Sequence, residues 1–223
     1  LRNRILIITG GPGTGKTTII RVVLQAFRQL KKKVLLTAPT GRAAKRMAEA
    51  TGRDAKTLHR LLEFMPATGA FSRNEGNPLD GDVIIIDETS MVDIHLMNAL
   101  LKAVPSGATV IFVGDVDQLP SVGPGNVLKD MIDSGRFRTV RLTDIFRQSS
   151  QSMIIVNAHR IHKGEMPLSA KGRGPGKDFY FLDADDPEMV AETIVSLCRE
   201  RIPGEFGYTR PADIQVLAPM HKG

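Results

Sequence analysis

Short runs of apolar residues alternate along this chain with segments in which apolar residues recur every three or four positions. The clearest apolar runs are 5–9, 34–38, 83–86 and 109–113, and a further strand is predicted at 139–142. After the first run, one helical face is formed by Ile20, Val23, Leu24, Phe27 and Leu30. This alternation predicts an α/β fold with a parallel sheet flanked by helices, in which ligands collect at the carboxyl ends of the strands.

The segment Gly10–Thr17 lies between the first apolar run and the first helix and reads Gly-Gly-Pro-Gly-Thr-Gly-Lys-Thr. Glycines let backbone N–H groups turn towards phosphate oxygens, and the following helix adds the positive end of its dipole. We expect Lys16 to reach the β and γ phosphates of a nucleotide and the Thr17 hydroxyl to ligate Mg²⁺. A glycine-rich turn that binds nothing would not explain the Lys-Thr pair. The predicted nucleotide-binding residues are Gly11, Pro12, Gly13, Thr14, Gly15, Lys16, Thr17 and Thr18.

Two carboxylates, Asp87 and Glu88, directly follow the apolar run 83–86. In P-loop proteins the first acid at this place holds Mg²⁺ and an adjacent glutamate polarises the attacking water. Asp87 is therefore the predicted metal residue and Glu88 the predicted base, although acids are also favoured at a helix N-terminus. After the next run, Gln118 is predicted to hydrogen-bond a γ-phosphate, whereas a chance loop glutamine would need no such position.

The distribution of charge along the chain indicates a second kind of ligand. Thirty basic and 24 acidic side chains give a net charge of +6, and six lysines or arginines but only two acids lie between residues 41 and 60. This position beside a strand's carboxyl end suits contacts with the phosphates of a polyanion, although a solvated helix face is the ordinary explanation of such a run. His59 has no partner at metal-ligand spacing, which argues against a metal site there.

Turn-forming residues interrupt the alternation at 64–81. We expect a small inserted hairpin with Phe64 and Phe71 on its arms, and a disordered surface loop is the alternative.

Residues 151–223 are predicted to form a different structural unit. The pattern predicts a helix over 154–162, strands at 179–182 and 213–218, and a helix that starts at Asp186-Pro187. Cys198 falls on an apolar helical face, which predicts a buried thiol; a catalytic cysteine is the alternative, but no histidine is matched to it.

No apolar run approaches the ~20 residues of a membrane span, and the N-terminus has no signal pattern. We therefore expect an intracellular, cytoplasmic protein without membrane partners. The chain starts at Leu1 rather than at a methionine and enters a strand almost directly. It ends at residues 220–223, just past another predicted strand. Both ends are those expected of an excised segment.

Five strings of residues carry a resemblance to a known family. The first is the phosphate-binding loop Gly10–Thr17, called the cradle below. The others are Thr-Ala-Pro-Thr-Gly-Arg-Ala-Ala at 37–44, Asp-Glu-Thr-Ser-Met-Val-Asp at 87–93, Gly-Asp-Val-Asp-Gln-Leu-Pro-Ser-Val-Gly-Pro-Gly at 114–125 and Ile-Phe-Arg-Gln at 145–148. They resemble successive motor motifs of superfamily 1 helicases, and in detail the RecD-like branch, which includes the alpha subunit of exodeoxyribonuclease V. Residues 157–167 and 216–220 also fit that pattern.

The resemblance implies a DNA-dependent ATPase that uses ATP and Mg²⁺ and moves 5′ to 3′ on single-stranded DNA. Residues 1–146 would form the first RecA-like domain, with 64–81 as a small inserted subdomain, and 147–223 would begin the second. Arg147 would add positive charge at the γ-phosphate, although a surface ion pair is the alternative. Exonuclease V-type subunits become candidate partners. The implied DNA-binding residues are Pro39, Thr40, Gly41, Arg42, Lys45, Thr57, His59, Gly123 and Gly125.

Other motifs of the family would precede Leu1 and follow Gly223, so we expect these residues alone to be an incomplete motor with weak or no activity. Two other classes of function stay open. One is a different P-loop enzyme, such as a clamp-loader-type ATPase or a small-molecule kinase, which the Gln118 motif argues against. The other is a nucleotide-binding module that never hydrolyses; the intact Lys16, Thr17, Asp87 and Glu88 argue against it for the parent protein but not for these residues alone.

Overall fold

A computed structural model describes residues 4–144, 152–168, 178–184, 186–208 and 213–218. The chain divides into two compact units, Leu1–Asp178 and Phe179–Gly223. The strands are β1 (Ile5–Gly10), β2 (Val34–Ala38), β3 (Lys56–Thr57), β4 (Phe64–Met65), β5 (Ala70–Phe71), β6 (Val83–Ile86), β7 (Thr109–Gly114) and β8 (Arg138–Leu142). The helices of the first unit are α1 (Lys16–Gln29), α2 (Gly41–Thr51), α3 (Leu58–Leu61), α4 (Ile94–Ala103), α5 (Val127–Asp133) and α6 (Met153–His162), with a 3₁₀ turn at Thr89–Met91.

The predicted parallel sheet flanked by helices is confirmed. Six strands pair in the order β3-β2-β6-β7-β1-β8, and every pairing is parallel. Because β7 lies between β1 and β6, the loops that follow these three strands meet at one edge of the sheet. The cradle after β1 and the acids after β6 are therefore brought to the same edge.

Alternate residues of the strands enter two separate hydrophobic clusters. Ile7 and Ile84 belong to one cluster, and their neighbours Ile8 and Ile85 belong to the other. This follows from the period of two in a strand, which points successive side chains to opposite faces of the sheet. Helices α4 and α5 pack on the first cluster, and α1 and α2 pack on the second. Strands that are buried on both faces explain the uninterrupted apolar runs.

The predicted hairpin at 64–81 is formed and is ordered. Strands β4 and β5 pair antiparallel, with Phe64 opposite Phe71 and their ring centroids 5.1 Å apart. The Arg73 guanidinium donates a 2.7 Å hydrogen bond to Glu63 at the base of the hairpin. Aromatic packing and this ion pair together stabilise a connection that composition alone left open to disorder.

In the second unit, the described residues form α7 (Pro187–Ser196) and α8 (Ile202–Phe206), joined by a π-helical segment at Leu197–Arg201. The predicted helix start at Asp186-Pro187 is confirmed, because the Asp186 carboxylate caps α7 and Pro187 occupies its first turn. The strands predicted at 179–182 and 213–218 are wrong. These residues are described without strand structure, and no described neighbour in this unit offers them a ladder of backbone hydrogen bonds.

The prediction of a buried Cys198 is also wrong, because its thiol is only half-buried. None of the described residues of the second unit is fully buried, so the apolar face of α7 has no core to pack against there. Residue 146 lies outside the described residues, so the domain boundary expected at that point stays a prediction. Among the described helices, none combines the length and apolar character needed to cross a membrane.

Candidate functional site

The cradle is a tight loop between β1 and α1. The Thr14 hydroxyl donates a 2.8 Å hydrogen bond to the Gly11 carbonyl oxygen. A Cβ on Gly10 would lie 2.7 Å from Thr14 Oγ1 and 2.8 Å from the Leu142 carbonyl oxygen, so only glycine fits there. Gly15 has a φ of +84°, which glycine adopts without steric cost, and α1 begins at the next residue. The loop therefore has the compact form that lets a phosphate approach its backbone.

Lys16, the first residue of α1, folds back over this loop. Its Nζ donates hydrogen bonds to the carbonyl oxygens of Gly10, at 2.5 Å, and of Gly11, at 3.1 Å. Phosphate oxygens carry negative charge and are stronger partners for an ammonium than neutral carbonyls are. The cation is thus held at the cradle by contacts that an incoming phosphate can replace.

Asp87 and Glu88 lie at the end of β6, two strands away from β1 in the sheet. The Asp87 N–H donates to the Thr37 carbonyl oxygen at 2.9 Å, and the Glu88 N–H donates to Asp87 Oδ1 at 2.9 Å. Glu88 has a φ of +52°, in the left-handed region that residues other than glycine rarely adopt. Strain of this kind persists only where the surroundings hold it, and it clusters at functional sites.

Burial raises the pKa of both carboxyl groups. For Asp87 the Glu88 N–H and the Lys16 charge act against burial and lower the pKa. For Glu88 the Asp87 charge adds to burial and raises the pKa further, while Lys16 lowers it. Among the described residues, Glu88 Oε2 is buried without a hydrogen-bond partner. An unpaired buried oxygen is costly, so the site suits a ligand that supplies a donor or a cation.

A cavity of about 340 Å³ lies between these acids and helices α1 and α2. Its lining brings the predicted metal residues Thr17 and Asp87 together with the predicted base Glu88. Arg46 of α2 also lines the cavity, and its charge lowers the pKa of Glu88. In the sequence, Arg46 is only one of the cations of a basic run. Its position near the acids depends on the order of the strands, which the sequence does not give.

The turn that carries Gln118 follows β7. The Val116 N–H donates to Thr9 Oγ1 on β1 at 3.2 Å, and the Asp117 N–H donates to the buried Asp115 carboxylate at 3.1 Å. The strand order places this turn between the cradle and the acid pair. Gln118 itself is exposed, and its contact with a γ-phosphate stays a prediction.

The predicted DNA-binding residues fall in two places on the first unit. Those at 39–42 follow β2, and Thr57 and His59 lie at and just after the end of β3, which is the neighbour of β2 in the sheet. Thr40 caps α2 by accepting a 3.2 Å hydrogen bond from the Ala43 N–H, and Lys45 lies exposed on that helix, 3.9 Å from Glu49. At the second place, Gly123 and Gly125 lie against the start of α4. A Cβ on Gly123 would collide with the Asp93 carboxylate.

His59 has a structural contact that its position in the basic run did not indicate. Its ring lies 5.4 Å from that of Phe64 and 5.8 Å from that of Phe71, measured between centroids. Thr57 accepts a 3.2 Å hydrogen bond from the Arg60 N–H and caps the short helix α3. His59 therefore packs against the hairpin and Thr57 stabilises the start of α3, and the contact of both residues with DNA stays a prediction.

His159 of α6 belongs to residues 157–167, which fit the family pattern, but the sequence alone indicates no role for it. A Cβ built on Gly11 would lie 2.8 Å from His159 Cε1, so the imidazole packs directly on the cradle. Three residues further along, the same helix carries His162, whose Nε2 lies 3.4 Å from Asp117 Oδ2. Helical spacing alone could not show that α6 lies against the cradle. Arg147 lies outside the described residues.

A phosphate-binding loop after one strand, with an acid pair two strands away in a parallel sheet, defines a P-loop nucleotide-binding domain. Comparison with known proteins makes this more specific. A family model described as an AAA domain matches residues 1–124, more than half of the chain, and the chain belongs to this family.

The similar proteins include named helicases. The chain is 40% identical over 221 residues to an ATP-dependent RecD2 DNA helicase of Deinococcus radiodurans, covering 99% of this chain and 28% of that protein. It is 36% identical over 214 residues to the RecBCD enzyme subunit RecD of Mycobacterium tuberculosis, covering 84% and 37%. The crystal structure of Pif1 helicase from Candida albicans matches with a TM-score of 0.56 and 28% identity, covering 74% and 42%. The resemblance to RecD-like helicases is confirmed, and the chain spans well under half the length of these relatives.

Proposed function

We propose that this chain is the ATP-hydrolysing part of a DNA helicase motor that moves 5′ to 3′ on single-stranded DNA. The observation that carries the proposal is the position of Glu88. Its half-buried side chain, whose carboxyl group has a raised pKa, lines one cavity with Thr17 and Asp87. A carboxylate whose pKa is shifted towards the working pH is suited to general base catalysis. The named relatives support DNA as the polymer along which this motor moves.

In this proposal the phosphates of ATP bind to the loop of residues 11–18. Backbone N–H groups at the start of α1 would contact phosphate oxygens, and Lys16 would exchange its carbonyl partners for the β and γ phosphates. The exchange replaces two neutral acceptors with charged ones, which favours binding.

Thr17 and Asp87 would hold Mg²⁺, which supplies positive charge beside the transferred phosphate when it is bound. In the part of the chain that the structure describes, no group of three or more histidine, cysteine or carboxylate side chains could hold a metal. One hydroxyl and one carboxylate nevertheless suit this ion, because Mg²⁺ usually takes few protein ligands and completes its shell with phosphates and water.

Three side chains would act on the reaction itself. Glu88 would accept a proton from the attacking water, and Gln118 would hydrogen-bond the γ-phosphate and sense its loss. Arg147 would stabilise the negative charge that develops on the transferred group. The turn with Gln118 lies between the cradle and the acids, which is where a sensor of the terminal phosphate is needed.

Single-stranded DNA would contact the loops after β2 and β3 and the loop of Gly123 and Gly125. Exposed cations such as Arg42 and Lys45 would bind backbone phosphates without reading sequence. A cytoplasmic location, with exonuclease V-type subunits as candidate partners, completes the proposal.

The test is phosphate release from ATP by the full-length protein, with and without single-stranded DNA. We expect DNA to stimulate hydrolysis, and Glu88→Gln to lower turnover by roughly 10²-fold or more while ATP still binds. The substitution keeps the side chain's size and removes only the base. Equal losses of ATP affinity and rate would place Glu88 in a folding role instead.

Polarity needs a second measurement. Duplexes with a single-stranded overhang at either the 5′ or the 3′ end are unwound by the full-length protein with ATP. Preference for the 5′ overhang is expected, and preference for the 3′ overhang would contradict the proposed direction. Hydrolysis that DNA does not stimulate would favour a different P-loop enzyme.

A further inference from the structure

Helix α6 places an imidazole on the phosphate cradle. Measured from an ideal Cβ on Gly11, His159 Cε1 lies at 2.8 Å, Nε2 at 3.5 Å and Nδ1 at 3.6 Å. These distances bring the outer edge of the ring against the backbone of Gly11. The ring therefore lies on the same loop whose carbonyl oxygens hold the Lys16 ammonium.

The Nε2 atom of this ring has no hydrogen-bond partner among the described residues, although it is buried. An imidazole nitrogen is always a donor or an acceptor, and leaving one buried and unpaired is costly. Most buried polar groups in folded proteins have a partner, so an unpaired one beside a ligand-binding loop suggests that the ligand supplies it.

Helix α6, which carries His159, is anchored at its start and in its middle by hydrogen bonds. Asn157 is fully buried and makes two 2.7 Å hydrogen bonds, donating to the Leu168 carbonyl oxygen and accepting from the Leu168 N–H. At the start of the helix, Asp178 accepts hydrogen bonds from the Ser152 hydroxyl at 2.6 Å and the Met153 N–H at 2.7 Å. The helix that carries the ring is thus fixed to the segments that follow it.

We propose that His159 is a further nucleotide-binding residue, whose Nε2–H donates a hydrogen bond to the terminal phosphates of ATP. Lys16 marks where these phosphates lie, because its ammonium reaches the β and γ phosphates of a bound nucleotide and rests here on Gly10 and Gly11. His159 and Lys16 meet the same residue of the loop, Gly11, so both donors serve one end of the phosphate chain. The inference rests on the proposed ATP binding.

The test measures equilibrium binding of fluorescent ATP and ADP analogues to the full-length protein and three variants. His159→Phe keeps a flat ring on Gly11 but removes the donor, and we expect it to weaken ATP binding roughly 10-fold. His159→Gln places an amide N–H near the position of Nε2 and should restore binding to within about threefold of the wild type. His162→Phe, the same change on the exposed part of α6, should leave binding unchanged.

The outcomes separate this inference from the proposed function. Loss in His159→Phe for ATP alone supports a contact at the γ-phosphate, and loss for both nucleotides supports one at the β-phosphate. Wild-type affinity in His159→Phe, or an equal loss in His162→Phe, would overturn the role of His159. Failure of the wild-type protein to bind ATP would instead refute the proposed function.

Discussion

The ammonium nitrogen of Lys16 lies 2.5 Å from the carbonyl oxygen of Gly10, so the cradle already holds a cation. The second contact, to Gly11, is 3.1 Å long. A positive charge positioned in this way attracts phosphate oxygens to the loop and strengthens their hydrogen bonds to it. The cation therefore prepares the loop for an anion.

Replacement of Lys16 by alanine should weaken nucleotide binding by about 1.5–3 kcal/mol, because one charged hydrogen-bond partner of the phosphates is lost. Hydrolysis stimulated by DNA should nearly vanish. Titration with a fluorescent ATP analogue and a phosphate-release assay measure the two effects. Retention of wild-type hydrolysis by Lys16→Ala would contradict the assignment of the cradle.

Protonation of Glu88 should make stability depend on pH. Burial and the Asp87 charge raise the pKa of Glu88 in the folded protein, so the folded state holds its proton to higher pH than the unfolded state does. Stability from this group is complete below the unfolded pKa and is lost as the pH rises through the raised folded pKa. Glu88→Gln carries no charge, so its thermal midpoint should rise relative to the wild type with increasing pH.

Thermal unfolding of both proteins between pH 4 and pH 8 measures this difference. Glu63→Gln is a control of the opposite sign, because a hydrogen bond from Arg73 lowers the pKa of that exposed carboxyl group. If the difference between Glu88→Gln and the wild type stayed constant with pH, Glu88 would not have a raised pKa.

Salt dependence should identify the cations that contact DNA. If Arg42, Lys45 and Lys56 neutralise phosphates, each change to alanine should lower the slope of log affinity against log salt by roughly 0.7. Fluorescence anisotropy on homopolymers of two base types measures the slope and any base preference. Lys102→Ala, an exposed cation near the end of α4, is the matched control. An unchanged slope would show that the residue lies on the solvated surface and does not contact DNA. A loss of affinity for one base type alone would indicate base recognition.

Truncation of Asp93 should destabilise the protein through the start of α4. Its carboxylate accepts a 2.8 Å hydrogen bond from the Leu96 N–H, and loss of such a cap typically costs about 1 kcal/mol. Asp93→Ala should therefore unfold at lower urea concentration than the wild type. Asp93→Asn retains a capping oxygen and should be close to the wild type. Equal losses in both variants would show that the charge, rather than the cap, is what stabilises the helix.

The sequence by itself determined the elements whose cause is local. Apolar runs such as 83–86 form buried strands because side chains on both faces avoid water, and the glycines of the cradle are required by their own backbone geometry. Asp93 and Asp186 marked helix starts correctly, since a cap acts within one turn. The order of the motifs was also enough to indicate the helicase family.

Only the tertiary structure decided which segments meet. The expected strands at 179–182 and 213–218 are not formed among the described residues, because a strand depends on a pairing partner that its own pattern does not specify. The contact of His159 with Gly11 joins residues far apart in the chain, and the contacts of His59 join a short helix to the hairpin that follows it. Their cause is the packing of separate elements, and spacing along a single element carries no information about it.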